Sequence, residues 1–249
     1  MRLEQTSWME VREKIKDPQG IIMATGSTEQ HGPIGLIGTD TICSETIASG
    51  AAAKANMYLA PSIGFTPAEF NMKFPGTISI SAQTFKSLLR EVTSSLLKHG
   101  FKYVLIVNGH GANIDLIKEV MIDFNNKLFF KSWWDFPTVN DIRNKEFGDW
   151  EGMHATPSEI SITQINQRVI GNTEFKKIAE NPPQKLTKDF IIAHSGDKHG
   201  TAVEHHKAFP DGRVGSHSAM ANPEIGKKIV NASVEGVLEE IERLNSTLL

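Results

Sequence analysis

The sequence has little of what marks secreted, membrane or nucleic-acid-binding proteins. It contains one cysteine, Cys43, which excludes an internal disulfide and fits a reducing compartment. No apolar run approaches the length of a membrane span, so we expect no membrane partner. The charged N-terminus has no secretory core, so we expect a cytoplasmic protein. The net charge of −3 gives no indication of a basic surface, which argues against nucleic acid as a partner.

The sequence also lacks the signs of an enzyme that uses a serine or cysteine nucleophile. No G-x-S-x-G motif is present. Cys43 lies in a small-residue segment that is predicted to be helical, and it has no neighbouring catalytic partner. We therefore expect Cys43 to be a buried structural thiol.

The most informative stretch is residues 21–40, IIMATGSTEQHGPIGLIGTD, where an apolar run typical of a buried strand precedes polar residues. Glu29 and His31 are two positions apart, so in an extended segment both side chains point into one cavity. With Asp40 they offer donors that suit zinc, manganese or iron better than calcium. Taken in isolation, however, Glu29 and His31 also fit solvated loop residues, and Asp40 fits a helix N-cap.

Hydrophobic periodicity divides the chain into alternating strands and helices. Strands are predicted at 20–25, 57–59, 77–81, 103–107 and 128–134. Helices are predicted at 7–16, 41–56, 82–98, 114–125, 157–168 and 223–245, and irregular structure at 61–76, 135–153 and 171–220. No linker or repeat divides the chain, so we expect one α/β domain, residues 1–249, with a mostly parallel sheet covered on both faces.

Three loops that follow predicted strands carry candidate metal ligands. The first holds Glu29, His31 and Asp40, the second holds His110 within NGHGAN, and the third is GDWEGMHATPSE at 148–159. If the strands are parallel, these loops meet at one edge of the sheet, where ligands bind. The glycines around His110 also fit a phosphate-binding turn. Because the full G-x-G-x-x-G or Walker spacing is absent, a ligand or catalytic role for His110 is favoured.

The third loop has two interpretations. Its segment 156–159, TPSE, fits a capping box, which would explain Glu159 without any chemistry. His154 lies just before it, and an aromatic with a carboxylate, Trp150 with Glu151, could hold a planar, nitrogen-rich substrate. A core or interface position explains Trp150 equally well.

The late part of the chain is rich in histidine. Five of these residues, at 194, 199, 205, 206 and 217, fall in the segment predicted to be irregular. Solvated or subunit-contact histidines are the plain interpretation. The segment 209–213, FPDGR, is typical of a turn.

The combined donor set indicates hydrolytic metal chemistry. With two metals, a bridging aspartate and an activated water would explain the ligand types, because the metals lower the pKa of the water and polarise a carbonyl. A nearby histidine or glutamate would then carry the proton to the leaving nitrogen.

Several motifs together resemble the creatininase (creatinine amidohydrolase) family. They are GSTEQHG and GTD at 26–32 and 38–40, FPGT at 74–77, NGHGAN at 108–113, HATPSE at 154–159 and FPDGRVGS at 209–216. The resemblance implies a three-layer α/β/α sandwich with a mixed sheet, and a homo-oligomer, often a hexamer. It also implies a metal-dependent amidohydrolase that uses two divalent ions, zinc, manganese or iron, to cleave a C–N bond of a small cyclic amide or formamide.

The resemblance carries over residue by residue. It implies that Glu29 and His31 each bind one metal, that Asp40 bridges the two, and that His110 is a further ligand. His154 matches the histidine that sits over the substrate and helps proton transfer. Glu151 is the candidate catalytic carboxylate beside it.

The sequence departs from the family directly after the loop histidine. Creatininases carry a tyrosine and a metal-binding glutamate there, whereas this chain has Gly111 and Ala112. The departure puts creatinine itself in question as the substrate and makes Glu159 the candidate replacement ligand. Gly111 would leave room for a larger substrate, and we predict that Gly111 and Trp150 line the substrate site.

Three alternatives stay open at this point. A deformylase that acts on a formamidopyrimidine nucleotide would need a cation for the phosphate, and Arg213 or a lysine of the late loop is the candidate. A non-catalytic metal-binding homologue would keep the fold and the ligands. A nucleotide-binding domain would use NGHGAN as a phosphate loop without metal.

Overall fold

The computed structural model describes residues 1–17 and 19–248. Within them the strands are β1 (Ile21–Thr25), β2 (Tyr58–Ile63), β3 (Val104–Asn108) and β4 (Leu128–Ser132). The helices are α1 (Trp8–Lys14), α2 (Thr39–Lys54), α3 (Ala82–Lys98), α4 (Asn113–Met121), α5 (Pro137–Glu146), α6 (Pro157–Asn166), α7 (Thr173–Glu180), α8 (Lys188–Ala193), α9 (Ala202–Ala208) and α10 (Pro223–Leu248). Short 3₁₀ turns lie at Leu3–Gln5, Glu69–Asn71, Ile122–Phe124, Gly148–Trp150 and Ser218–Met220.

The strands form one parallel sheet in the order β2-β1-β3-β4. The register aligns the last residues of three strands, so that Thr25, Asn108 and Ser132 stand in one row. The Thr25 hydroxyl donates to the Asn108 side-chain oxygen at 3.1 Å, and the Asn108 amide donates to the Ser132 hydroxyl at 3.2 Å. Because the strands end level, the loops that follow them leave the sheet at one edge, as the parallel arrangement predicts.

Helices cover both faces of the sheet, and the strand periodicity decides which residue faces which layer. Ile22 and Ala24 of β1 pack into a core shared with α2 and α10, whereas Ile21 and Met23 pack into a core shared with α3 and α4. Burying one such side chain contributes about 1.5–3 kcal/mol. The predicted three-layer α/β/α sandwich is therefore confirmed.

The mixed character of the sheet is confined to isolated antiparallel bridges. Thr28 pairs with Ile78 and His154 pairs with Val214 in this way. The strand predicted at 77–81 is wrong, because the bridge at Ile78 does not extend into a ladder. Instead the segment ends at Ser81, whose hydroxyl caps the N-terminus of α3.

Two segments predicted to be irregular contain helices. Segment 135–153 holds α5, which starts with Pro137 at its first position and buries Val139. Segment 171–220 holds α7, α8 and α9, each with a hydroxyl or amide side chain as its N-cap. These helices are short, between 6 and 10 residues, and bury few apolar residues. They lack the length over which a hydrophobic period predicts a helix. No helix within the described part of the chain is long and apolar enough to cross a membrane.

Candidate metal centre

The loops at the carboxyl edge of the sheet bring six candidate residues together. Glu29 and His31 follow β1, Asp40 lies in the first turn of α2, His110 follows β3, and His154 and Glu159 flank the start of α6. All six are at most 8 % exposed. The buried loops therefore gather imidazoles and carboxylates in one place.

These residues form three overlapping groups whose donor atoms lie within 4.8 Å of one another. We name each group by one of its histidines. The His110 group is Glu29, Asp40 and His110. The His31 group is His31, Asp40 and Glu159, and the His154 group is Glu29, His31 and His154. Asp40 links the first two groups. Its Oδ2 lies 3.0 Å from His110 Nδ1, and its Oδ1 lies 2.8 Å from His31 Nε2. Each carboxylate oxygen of Asp40 thus faces a different histidine, as a bridging ligand would.

Each of the three histidines donates one ring N–H to a backbone carbonyl. His31 Nδ1 donates to the Glu29 carbonyl at 3.1 Å, His110 Nε2 to the Pro67 carbonyl at 2.9 Å, and His154 Nε2 to the Gln30 carbonyl at 2.7 Å. A carbonyl oxygen only accepts, so in the neutral ring the other nitrogen carries the lone pair. That nitrogen faces the carboxylates in every case, which is the tautomer that metal ligation requires.

Several of the converging atoms are buried without a hydrogen bond. Within residues 1–17 and 19–248, Glu29 Oε1, Asp40 Oδ2 and His31 Nε2 have no hydrogen-bond partner. His31 Nε2 and Asp40 Oδ1 are 2.8 Å apart, yet their angle does not make a hydrogen bond. Donor atoms bound at about 2.0–2.2 Å to one ion stand about 3 Å apart. These orphaned atoms therefore fit divalent cations, with Glu29 and Asp40 in the His110 group and His31 with Asp40 in the His31 group.

Glu159 serves two purposes with its two oxygens. Its Oε2 accepts from the Thr156 backbone N–H and the Thr156 hydroxyl, both at 2.8 Å, which completes the predicted capping box. Its Oε1 lies 4.0 Å from His31 Nε2 and faces the site. The capping box therefore occupies Oε2 and leaves Oε1 available as a ligand, so the two interpretations of Glu159 are compatible.

The charges of the site perturb one another strongly. Burial disfavours the His31 imidazolium, but Asp40 outweighs burial and raises the pKa of His31 to about 10. Burial, with the Asp40 charge, raises the pKa of Glu159 to about 7. Burial, with the neighbouring His31, lowers the pKa of His154 to about 4. His154 is thus a neutral acceptor at neutral pH, and the carboxylates rely on positive charge nearby.

A cavity of about 280 Å³ opens onto this centre. Gly111 lines it, as predicted, but so do Trp133, Trp134 and Arg143, which sequence reasoning missed. The prediction that β4 continues to residue 134 hid the two tryptophans, because the strand ends at Ser132. Trp133 lines the cavity, and its buried indole N–H has no hydrogen-bond partner in the described ranges.

Trp150 and Glu151 lie outside this lining. The Glu151 carboxylate accepts from Arg143 Nε at 3.0 Å and from the Ser158 hydroxyl. The Trp150 ring contacts His217 at its edge and lies under the Lys185 ammonium. The geometry does not favour the catalytic and substrate-binding roles predicted for Glu151 and Trp150, which stay predictions.

The late segment departs from its interpretation as solvated. His205 is buried, and the His199 side chain is 2 % exposed. Arg213, the candidate phosphate cation, is also buried, and its guanidinium donates to Asp211 and to the carbonyls of residues 178, 179 and 181. These hydrogen bonds do not favour Arg213 as the phosphate cation of the nucleotide deformylase alternative, because they hold its guanidinium away from the cavity lining.

Gly111 does not leave the open space predicted for it. A β-carbon at this position would lie 2.2 Å from Oδ2 of Asp197, a residue of the late segment that also lines the cavity. The Asp197 carboxylate therefore fills the room beside the glycine. Sequence reasoning did not single out Asp197, because no motif or periodicity marks it.

The fold and the site define an α/β/α protein with a buried, metal-capable centre at the carboxyl edge of a parallel sheet. The sequence model of the family described as "Creatininase: Creatinine amidohydrolase" matches residues 4–241. The chain belongs to the creatininase family, and the members of this family are hydrolases.

Relatives of this chain have different substrates in their names. It is 26 % identical over 263 residues to a 3-dehydro-scyllo-inosose hydrolase of Thermotoga maritima, covering 94 % of this chain and 79 % of the relative. It is 23 % identical to a creatinine amidohydrolase of Pseudomonas putida, covering 95 % and 94 %. It is also 33 % identical over 103 residues to a mycofactocin precursor peptide peptidase of Mycolicibacterium smegmatis, which covers 39 % of this chain and 41 % of that protein.

Solved structures share the fold. A structure described as "Creatininase Mn" superposes with a TM-score of 0.78 at 17 % identity, covering 97 % of both chains. Another, described as "Zn-Zn type", has a TM-score of 0.75 at 18 % identity and covers 97 % of both chains.

Proposed function

We propose that this protein is a metal-dependent hydrolase that cleaves a C–N bond of a small cyclic amide or formamide. One observation carries the proposal: three buried imidazoles turn their free nitrogens toward three buried carboxylates, at spacings typical of shared ligands. Uncompensated carboxylates are too costly to bury without a cation.

The donor set assigns residues to two divalent ions. The His110 group would hold one ion and the His31 group the other, with Asp40 bridging. Mixed imidazole and carboxylate donors suit zinc, manganese or iron, and relatives of this fold are described with manganese or zinc. Such ions supply an activated water and polarise the carbonyl under attack.

Two residues outside the two ion-binding groups, His154 and Trp133, are assigned to proton transfer and substrate binding. His154 Nδ1 lies 3.5 Å from Glu29 Oε1 with its free lone pair toward the site. We assign His154 as the group that accepts a proton and returns it to the leaving nitrogen. The free indole N–H of Trp133 offers a donor to a substrate carbonyl.

A second candidate reaction is ring opening of a cyclic polyhydroxy ketone. It is supported by the relative named 3-dehydro-scyllo-inosose hydrolase, which matches 94 % of this chain. The nucleotide deformylase alternative is less favoured. Among the described residues that line the cavity, Arg143 is the one lysine or arginine, and Glu151 pairs with it at 3.0 Å.

The test has two stages. First, metal content is measured on protein purified without chelator, and then on protein stripped and reloaded with zinc or manganese. Second, both forms are assayed with creatinine, a formamide and 3-dehydro-scyllo-inosose. We expect turnover of at least one compound by the loaded form alone. Bound metal without any turnover would favour the non-catalytic homologue, and a chain that binds no divalent ion would refute the proposal. A homo-oligomeric assembly and a cytoplasmic location stay predictions.

A further inference from the structure

Asp197 reaches the metal centre from outside the loops that follow the strands. It lies between α8 and α9, in the segment Ser195-Gly196-Asp197 that lines the cavity. Its side chain is 10 % exposed. Gly196 and Asp197 have φ values of 75° and 53°, so two consecutive residues adopt the left-handed region. For an aspartate this conformation costs of order 1 kcal/mol or more, which the surrounding contacts must offset.

The contacts of Asp197 lead to the loop that carries His110. Its Oδ2 accepts from the Ala112 backbone N–H at 3.0 Å and lies 3.8 Å from His110 Nδ1. That nitrogen is the one that faces Glu29 and Asp40. On the other side, Asp197 Oδ1 lies 3.8 Å from His199 Nε2.

The Asp197 carboxylate occupies the space that a side chain at position 111 would fill. A β-carbon built at Gly111 would lie 2.2, 2.8 and 3.3 Å from Oδ2, Cγ and Oδ1 of Asp197, and these are its three nearest contacts. Its backbone φ lies outside the left-handed region that favours glycine. A side chain at 111 would therefore clash first with the Asp197 carboxylate.

We propose that Asp197 is a positioning residue of the metal centre, whose charge beside His110 raises the affinity of the His110 group for its divalent ion. It is not placed among the members of that group, so we assign it to the surrounding shell rather than to direct ligation. A carboxylate near a divalent ion attracts it, and groups outside the ligand set are typically worth about 10- to 100-fold in metal affinity. The inference rests on the proposed function in taking the His110 group to hold an ion.

The experiment is a double-mutant cycle read out by metal affinity. Zinc and manganese dissociation constants are measured by chelator competition for the full-length wild type, Asp197→Asn, Gly111→Ala, Asp197→Ala and the Gly111→Ala/Asp197→Ala double variant. Asp115→Asn is the matched control, because Asp115 is exposed and pairs with Lys198 next to Asp197. Circular dichroism checks the fold of each variant.

We expect Asp197→Asn, which can still accept from Ala112, to weaken binding about 10- to 100-fold, and Asp115→Asn to leave it unchanged. Gly111→Ala should weaken binding similarly in the wild-type background but add nothing to Asp197→Ala. Unchanged affinity in folded Asp197→Asn, or an equal Gly111→Ala effect in both backgrounds, overturns this inference. A wild type that binds no metal refutes the proposed function instead, so the two failures are distinguishable.

Discussion

Exchanging Glu159 for glutamine separates its two purposes. Glutamine is accepted at the third position of a capping box, so its oxygen can still receive the Thr156 N–H and hydroxyl that Oε2 now receives. What the variant loses is the negative charge of Oε1, which faces His31. Glu159→Gln should therefore change the metal centre and leave the start of α6 intact.

The pKa of Glu159 in the metal-free protein gives the size of the expected change in the free energy of unfolding. Burial, with the Asp40 charge, raises the pKa of Glu159 from 4.5 to about 7. Between these pH values the folded state keeps a proton that the unfolded state has released, so stability falls as the pH rises through this window. Above pH 7 the buried charge costs about 3 kcal/mol. Metal-free Glu159→Gln should thus be more stable than metal-free wild type by about 3 kcal/mol at pH 8, and no more stable near pH 4.5.

Saturating metal should remove that advantage. A hundredfold weaker affinity forfeits about 2.7 kcal/mol of stabilisation by the ion. The assay is urea unfolding at pH 4.5 and pH 8, with chelator and with zinc. Thr156→Ala is the control, because it removes the cap hydroxyl and should cost about 1 kcal/mol with or without metal. Equal stability of metal-free wild type and Glu159→Gln at pH 8, or unchanged zinc affinity, would refute this reasoning.

Three further substitutions have distinct expected outcomes. His31→Ala should lower metal content without unfolding the chain, since its Nε2 faces Asp40; wild-type metal content on folded protein would contradict the ligand assignment. His154→Gln should keep the metal and abolish turnover of the identified substrate, whereas metal loss would make His154 a ligand. Burial, with the neighbouring His199, lowers the pKa of His205 to about 4, so wild-type stability should fall as pH drops from 6.5 toward 4. His205→Leu should lose less in urea unfolding at pH 7 and 4.5, and an equal loss would count against this explanation.

The predictable parts of this protein are those with strong local signals. The apolar run at 21–24 and the helical period at 82–98 predict β1 and α3, which the structure contains within one residue of the predicted bounds. The sequence predicts that the loops meet if the strands are parallel, and the parallel register of β1 with β3 brings Glu29 and His110 together. The family resemblance adds the ligand roles, and the geometry of the six residues accommodates them.

The parts that sequence could not supply depend on tertiary contacts. Asp197 arrives through a left-handed bend in a segment without hydrophobic period, so neither its burial nor its direction is encoded locally. The capping box predicts the position of Glu159, but only three-dimensional geometry shows which oxygen caps and which remains free. Trp133 was missed for a smaller reason, since the apolar run around it continues past the last strand residue, Ser132.

The carbonyls that orient the three imidazoles have an evolutionary consequence. His31, His110 and His154 each donate to main-chain oxygen, at Glu29, Pro67 and Gln30. Main-chain atoms are present whatever side chain occupies a position, so a substitution that leaves the backbone in place cannot delete these acceptors. The three imidazole rings can thus keep their orientation while neighbouring side chains are substituted during evolution. Such a centre tolerates the remodelling of the adjoining cavity without a change in the orientation of its histidines.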